Sequence, residues 1–143
     1  PNCSGISNST LPLPAKFSAT KNVRWSAKVG DGIGSPVVAA GRTFISGMIN
    51  DETVGLFAFD SKTGKQLYES RTHRNRHRGS PVYADGHIYL TSRDGIVSVV
   101  KVGREFKLVA QNDLEESLAA SPAISGGTLY LRSYDALWAI RGK

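Results

Sequence analysis

Ser80-Pro81-Val82-Tyr83-Ala84-Asp85-Gly86-His87-Ile88-Tyr89-Leu90-Thr91 is the stretch whose reading decides the fold. A short apolar segment opens on proline, which a first strand position tolerates because no ladder N–H is needed there. Asp85-Gly86 then supplies two residues able to reach positive φ, the requirement of a tight two-residue hairpin turn. The returning segment alternates, with Ile88 and Leu90 on one side and Tyr89 and Thr91 on the other, the period of a half-buried strand.

The same pattern occurs on either side. Ser35-Pro36-Val37-Val38-Ala39-Ala40-Gly41 leads into Arg42-Thr43-Phe44-Ile45-Ser46, and Ser121-Pro122-Ala123-Ile124-Ser125-Gly126-Gly127 leads into Thr128-Leu129-Tyr130-Leu131-Arg132. The serines stand 45 and 41 residues apart. A period of about 40–45 residues with four strands per unit is the signature of β-propeller blades. Two more strands follow each hairpin: 54–59 and 66–70 in the first unit, 96–102 and 106–110 in the second. The third has only 136–140 before Lys143. The leading segment Asn22-Val23-Arg24-Trp25-Ser26-Ala27-Lys28-Val29 has no hairpin of its own and is expected to complete the last blade, as propellers close by borrowing an N-terminal strand.

The fold expected is thus all-β: about three four-stranded antiparallel blades over 35–70, 80–111 and 121–143 plus strand 22–29, after an extended lead-in over 1–21. No helix is signalled.

Bulk properties agree. The chain has 143 residues, 40% hydrophobic and 21% charged, with 15 Gly and 6 Pro, which suits a globular domain with many turns and not a disordered chain. The net charge of +6 could attract nucleic acid, anionic lipid or an acidic protein, but acidic residues are spread through the same segments and a merely soluble basic protein is the better reading. One cysteine, Cys3, excludes an internal disulfide and a cysteine zinc cage. No apolar run approaches the ~20 residues of a membrane-spanning helix, and no signal-peptide pattern is found in these residues.

Ala58-x-Asp60-x-x-Thr63-Gly64-Lys65-x-x-Tyr68 resembles the blade signature of the PQQ-like (quinoprotein-type) β-propeller repeat family, where the last position is usually Trp. The opening Pro1-Asn2-Cys3-Ser4-Gly5-Ile6-Ser7, the Lys21 to Trp25 strand and Gly34-Ser35-Pro36 are similar to the start of bacterial members. In such a signature Asp60 and Thr63 serve the turn, Gly64 the bend, and the aromatic wedges between blades.

The resemblance implies a non-catalytic binding or scaffold module, periplasmic or otherwise extracytoplasmic, with a protein partner. One branch of the family resembles a lipoprotein scaffold for outer-membrane barrel assembly. Propellers close with about 4–8 blades, so the chain is either a fragment or shortened relative of a longer propeller or a homodimer forming a six-bladed ring, and self-association is the expectation favoured. The alternative is a fragment of a quinone-dependent dehydrogenase, which would bind PQQ with calcium. The adjacent cysteines often found there are impossible with one Cys, and no convergent Asp/Glu/Asn group is visible. No cofactor, metal or catalytic residue is assigned.

The sharpest local feature is residues 71–78, in which Arg71, His73, Arg74, Arg76, His77 and Arg78 crowd into eight positions. Forked guanidinium groups could hold an anion or an acidic partner. A polyanion-binding module is a further alternative, although nucleic acid is disfavoured because no stacking aromatics are interleaved. His73 and His77 have a helical metal spacing, but they lie in a loop without a third ligand. Asp113, Glu115 and Glu116 read as a surface turn, and Trp25, Phe57, Phe59, Tyr89, Tyr130 and Trp138 as blade core. Asn8-Ser9-Thr10 fits the glycosylation sequon.

Overall fold

A computed structural model describes residues 12–50 and 53–142. Cys3 and the Asn8-Ser9-Thr10 sequon lie outside the described residues. Eleven strands form three sheets with no helix among the described residues. The first sheet contains β1 (Val37–Ala39), β2 (Arg42–Met48), β3 (Val54–Asp60) and β4 (Gln66–Arg71). The second contains β5 (Val82–Ala84), β6 (His87–Thr91), β7 (Ile96–Lys101) and β8 (Leu108–Asp113). The third contains β9 (Ala123–Ser125), β10 (Thr128–Arg132) and β11 (Leu137–Arg141). Every pairing is between neighbours in sequence and antiparallel, so each sheet is a meander with the blade order that the repeat predicted.

The three hairpin turns explain why the repeat folds locally as it does. Ala40-Gly41, Asp85-Gly86 and Gly126-Gly127 all have both central residues at positive φ, from 45° to 74°. That is the type I′ geometry whose twist matches the flanking strands. β3 and β7 are buried along nearly their whole length, as expected of inner strands covered on both faces, and their sequences VGLFAFD and IVSVVK are correspondingly apolar.

The sheets stack in chain order. Ala39, Phe44, Leu56 and Ala58 of the first blade meet Ile88, Leu90 and Val100 of the second. The second blade's opposite face sends Val97 against Leu131, Leu129 and Trp138 of the third. A backbone register accompanies the packing: the Ser35 N–H donates to Ser80 Oγ at 2.8 Å, and the Ser80 N–H donates to Ser121 Oγ at 2.7 Å. The serine that opens each repeat is therefore an inter-blade clamp.

The Asp60–Lys65 turn is held by the residues of the blade signature. Asp60 Oδ1 accepts from the Lys62 N–H (3.1 Å), the Thr63 N–H (2.8 Å) and the Thr63 hydroxyl (2.8 Å). Hydrogen bonds from the Thr63 backbone and side chain hold the Asp60 carboxyl below its ordinary range. The exposed Lys65 contributes through its backbone, its carbonyl accepting from the Asp60 N–H at 2.9 Å. Trp25 lies on this turn. Its ring centroid is 5.9 Å from that of Phe59, and its indole N–H donates to the Ser61 carbonyl at 3.0 Å. Tyr68 repeats the arrangement one blade on, edge-to-face with Phe106 at 5.9 Å.

One expectation fails. Residues 22–29 do not complete the last blade: the third sheet has three strands, in the order β11-β10-β9, and 22–29 form no strand. The segment stays on the first blade, where the indole of Trp25 bonds the Ser61 carbonyl and the Val29 carbonyl passes close to Gly47.

Gly64 has φ +74°, and a Cβ built there would fall 2.6 Å from the Trp25 ring. Gly64→Ala combines backbone strain with overpacking and should lower stability by about 2–3 kcal/mol, read from urea midpoints; an unchanged midpoint would contradict the docked indole. The Tyr68 hydroxyl is buried without a partner among the described residues, and burial pushes its pKa up to about 12. Tyr68→Phe removes that orphan and should leave stability unchanged or raise it by ~1 kcal/mol; a loss above 1 kcal/mol would show that the hydroxyl is satisfied.

Candidate functional site

Residues 71–78 connect β4 to β5 at the end of the stack that also carries the β6–β7 turn, residues 92–95. The connector bends at Arg74 and Asn75 and alternates in exposure. Arg74, Arg76 and Arg78 face solvent, whereas His73 and Asn75 are half-buried and His77 is buried. Arg71, at the end of β4, is also exposed.

The inward residues anchor the loop. His77 Nδ1 lies 3.0 Å from the Thr91 carbonyl, so this nitrogen carries the proton and donates; Nε2, 2.6 Å from Thr72 Oγ1, accepts from the threonine hydroxyl. Desolvation lowers the His77 pKa and keeps the ring neutral, outweighing the opposing hydrogen bond to Thr91. His73 Nε2 meets Asp94 Oδ2 at 2.7 Å, and the same oxygen accepts from Asn75 Nδ2 at 2.5 Å. Burial alone would raise the Asp94 pKa, but hydrogen bonds from Ser92, His73 and Asn75 outweigh it and hold the carboxyl well below the usual range. Gln111 closes the base of the loop by donating to the Thr72 carbonyl at 2.8 Å.

The six residues singled out in the connector therefore divide into two groups. His77, with both ring nitrogens engaged inside the protein, and His73, through Nε2, anchor the loop. Arg71, Arg74, Arg76 and Arg78 remain as outward cations. The one ion pair among the described residues is His73–Asp94, so none of these guanidinium groups is in a direct ion pair there. Two residues the sequence did not single out belong to the same surface: Asp94, which ties the loop down, and Arg93, whose N–H donates to the Arg76 carbonyl at 3.0 Å. Alignment of the repeats held a signal for the first group. His77 lies three residues before Ser80, as the buried Leu118 lies three before Ser121, and both form the same isolated bridge to a serine.

A recess of ≈ 440 Å³ opens beside the connector, lined by Arg76, Arg78 and His77 on one side and Asp31, Ile33 and Met48 on the other. It combines guanidinium groups with an exposed isoleucine. Among the described residues no group of three or more His, Cys, Asp or Glu side chains could hold a metal ion. The acidic turn is structural: Asp113 Oδ1 accepts from the Glu115 N–H at 2.7 Å, and Glu116 accepts from the Ser133 hydroxyl. No helix is long and apolar enough to cross a membrane among the described residues.

Three meander sheets stacked through a serine clamp, with an aromatic lying on the next blade's signature turn, define a β-propeller protein of the PQQ-like repeat class. A family model described as outer membrane protein assembly factor BamB matches residues 15–133, and the chain belongs to this family. Among solved structures, BamB from Moraxella catarrhalis shares the fold with a TM-score of 0.52 at 16% identity, over 79% of this chain and 47% of that one. The chain spans about half the length of this neighbour. A search of the curated proteins gives no match.

The neutral, buried His77 sets a pH dependence. Its folded pKa lies below the ordinary 6.5, so beneath that value the unfolded chain binds more protons than the folded one, and stability falls with pH until the folded group titrates. Melting temperature should therefore drop between about pH 7 and pH 5. His77→Leu, which installs the residue of the third blade, should flatten that slope; an unaltered slope would place the titration elsewhere.

Proposed function

We propose that this chain is a non-catalytic propeller module that binds a protein partner through its arginine-bearing end, in an extracytoplasmic compartment, as part of outer-membrane protein assembly. The observation that carries the reading is the division of residues 71–78: the histidines lock the connector, and the arginines stand out beside a partly apolar recess, none of them in an ion pair among the described residues. A loop held rigid in this way presents its guanidinium groups with little ordering cost on binding. Arginine also suits forked recognition of carboxylates, so the partner segment that fits is acidic with an apolar residue for the recess. The family supports the compartment and the assembly role, and its description names outer-membrane assembly.

The expected outcome is measurable binding of purified soluble domains of the barrel-assembly machinery by the wild-type chain, weakening with salt. The combined Arg74→Ser, Arg76→Ser and Arg78→Ser variant should lose at least tenfold in affinity while keeping its melting temperature, since exposed arginines contribute little to stability. Equal binding by the variant would overturn the proposal, as would absence of binding by the wild type. Arginine-dependent retention on heparin without binding to those domains would assign the loop to polyanions instead.

A further inference from the structure

His77 occupies a seat that the next repeat fills with leucine. Three residues before its Ser-Pro the second blade has His77, 6% exposed, and the third has Leu118, 1% exposed. Each makes the same isolated bridge to the serine that follows the return strand, His77 to Ser92 and Leu118 to Ser133. An ionisable ring therefore closes the seam between the first two blades, where the equivalent seam one blade on is closed by an apolar side chain.

The ring fits that seat as a neutral imidazole. Its Nδ1–H donates to the Thr91 carbonyl, and its Nε2 accepts from the Thr72 hydroxyl. Thr72 is 4% exposed, and its hydroxyl has no other hydrogen-bond partner among the described residues. A second proton, on Nε2, would set a donor against that donor. The threonine would have to turn its own proton into a buried space with no acceptor placed for it, while a positive charge formed out of water. The surrounding charges do little to relieve this. Asp94 on the 92–95 turn attracts the proton, but its carboxylate already accepts from Ser92, His73 and Asn75, and His73 opposes it. Arg76 and Arg78 flank the ring in the chain, Arg93 stands on the turn, and Asp31 lies across the recess.

The ties on either side of His77 do not depend on its charge. Upstream, His73 and Asn75 hold Asp94, and Gln111 holds the Thr72 carbonyl. Downstream, Gly79 is wedged against Thr91 and Ala120 with no room for a Cβ, and the Ser80 N–H is clamped to Ser121. Residues 76–78 between them have only the His77 ring and the bond from the Arg93 N–H to the Arg76 carbonyl. We propose that His77 is an acid-sensitive latch: uptake of a proton expels its ring from the seam and frees residues 76–78, while 72–75 and 79–80 stay tied down. The arginine end then has two forms, with Arg76 and Arg78 held in place at neutral pH and loose in acid. The sign agrees with the seated ring's lowered pKa. A released ring binds protons more readily, so the latched form loses ground as pH falls from the ordinary 6.5. The latch stands on the seam alone, and only its bearing on partner binding rests on the function proposed above.

Hydrogen exchange followed by NMR on the full chain reads the latch at the Arg93 amide, which is bonded to the Arg76 carbonyl. Its protection factor, corrected for the intrinsic pH dependence of exchange, should fall about tenfold between about pH 7.5 and pH 5.5, the interval over which a released ring takes up its proton. The Lys101 amide, bonded to the Lys107 carbonyl in the second blade's own sheet, should keep its protection. His77→Leu should abolish the fall at Arg93. So should His77→Gln, which is neutral and can still bond Thr91 and Thr72, and it serves if leucine disturbs the seam. Unchanged protection at Arg93 in the wild type, or a fall that persists in the variants, overturns the latch. An equal fall at Lys101 overturns it as well, because the whole chain would then be opening and not the connector. The measurement uses no partner, so failure of the binding reading leaves its outcome unchanged.

Discussion

The hydrogen bond from the backbone N–H of one repeat's opening serine to the side chain of the next repeat's serine sets the spacing of the molecule. It holds innermost strands at a fixed separation, and at that separation Phe44 and Leu56 reach Ile88 and Leu90 while Val97 reaches Leu131. At the outer rim an aromatic on the following turn repeats the constraint, Trp25 over Gly64 and Tyr68 against Phe106. A blade is thus fastened at both edges, and the apolar faces between need only fill the gap. Hydroxyl and backbone give direction, and apolar area gives most of the energy.

That arrangement makes the stack nearly one-dimensional, with each blade's stability depending on its neighbours. The first two blades are both complete four-stranded sheets, and their inner strands β3 and β7 are buried along nearly their whole length. The third blade, covered on one face, leaves β11 largely exposed despite an apolar sequence. The connector 71–78 benefits from its position between the two best-packed sheets. Its histidines reach into the seam between the first and second blades, and this rigidity gives its arginines a fixed orientation.

Much of this was legible in the residues. Ser-Pro, a two-residue turn able to take positive φ, and an alternating return strand specify a hairpin through local chemistry alone, and three copies at a blade-sized interval specify the stack. What escaped was whatever depends on which sheets meet. Residues 22–29 carry the pattern of an outer strand, but pattern does not say which sheet an outer strand joins; that depends on ring closure, a property of the whole assembly. The roles of His73 and His77 were hidden for a related reason. A run of arginine and histidine reads as uniformly basic, and only the alternation in burial separates anchors from presented cations. Asp94 and Arg93 lie across a blade, in a turn whose proximity to the connector comes from the meander and not from sequence.

The most direct test of the account is amide hydrogen exchange at Ser35 and Ser80, whose N–H groups lie in loops that belong to no sheet ladder. The serine clamp predicts protection by about a hundredfold or more over an unstructured chain, approaching that of the strand amides. Exchange of both amides at unprotected rates, with β3 and β7 still protected, would show that the sheets form without being clamped and would contradict the stacking register described here.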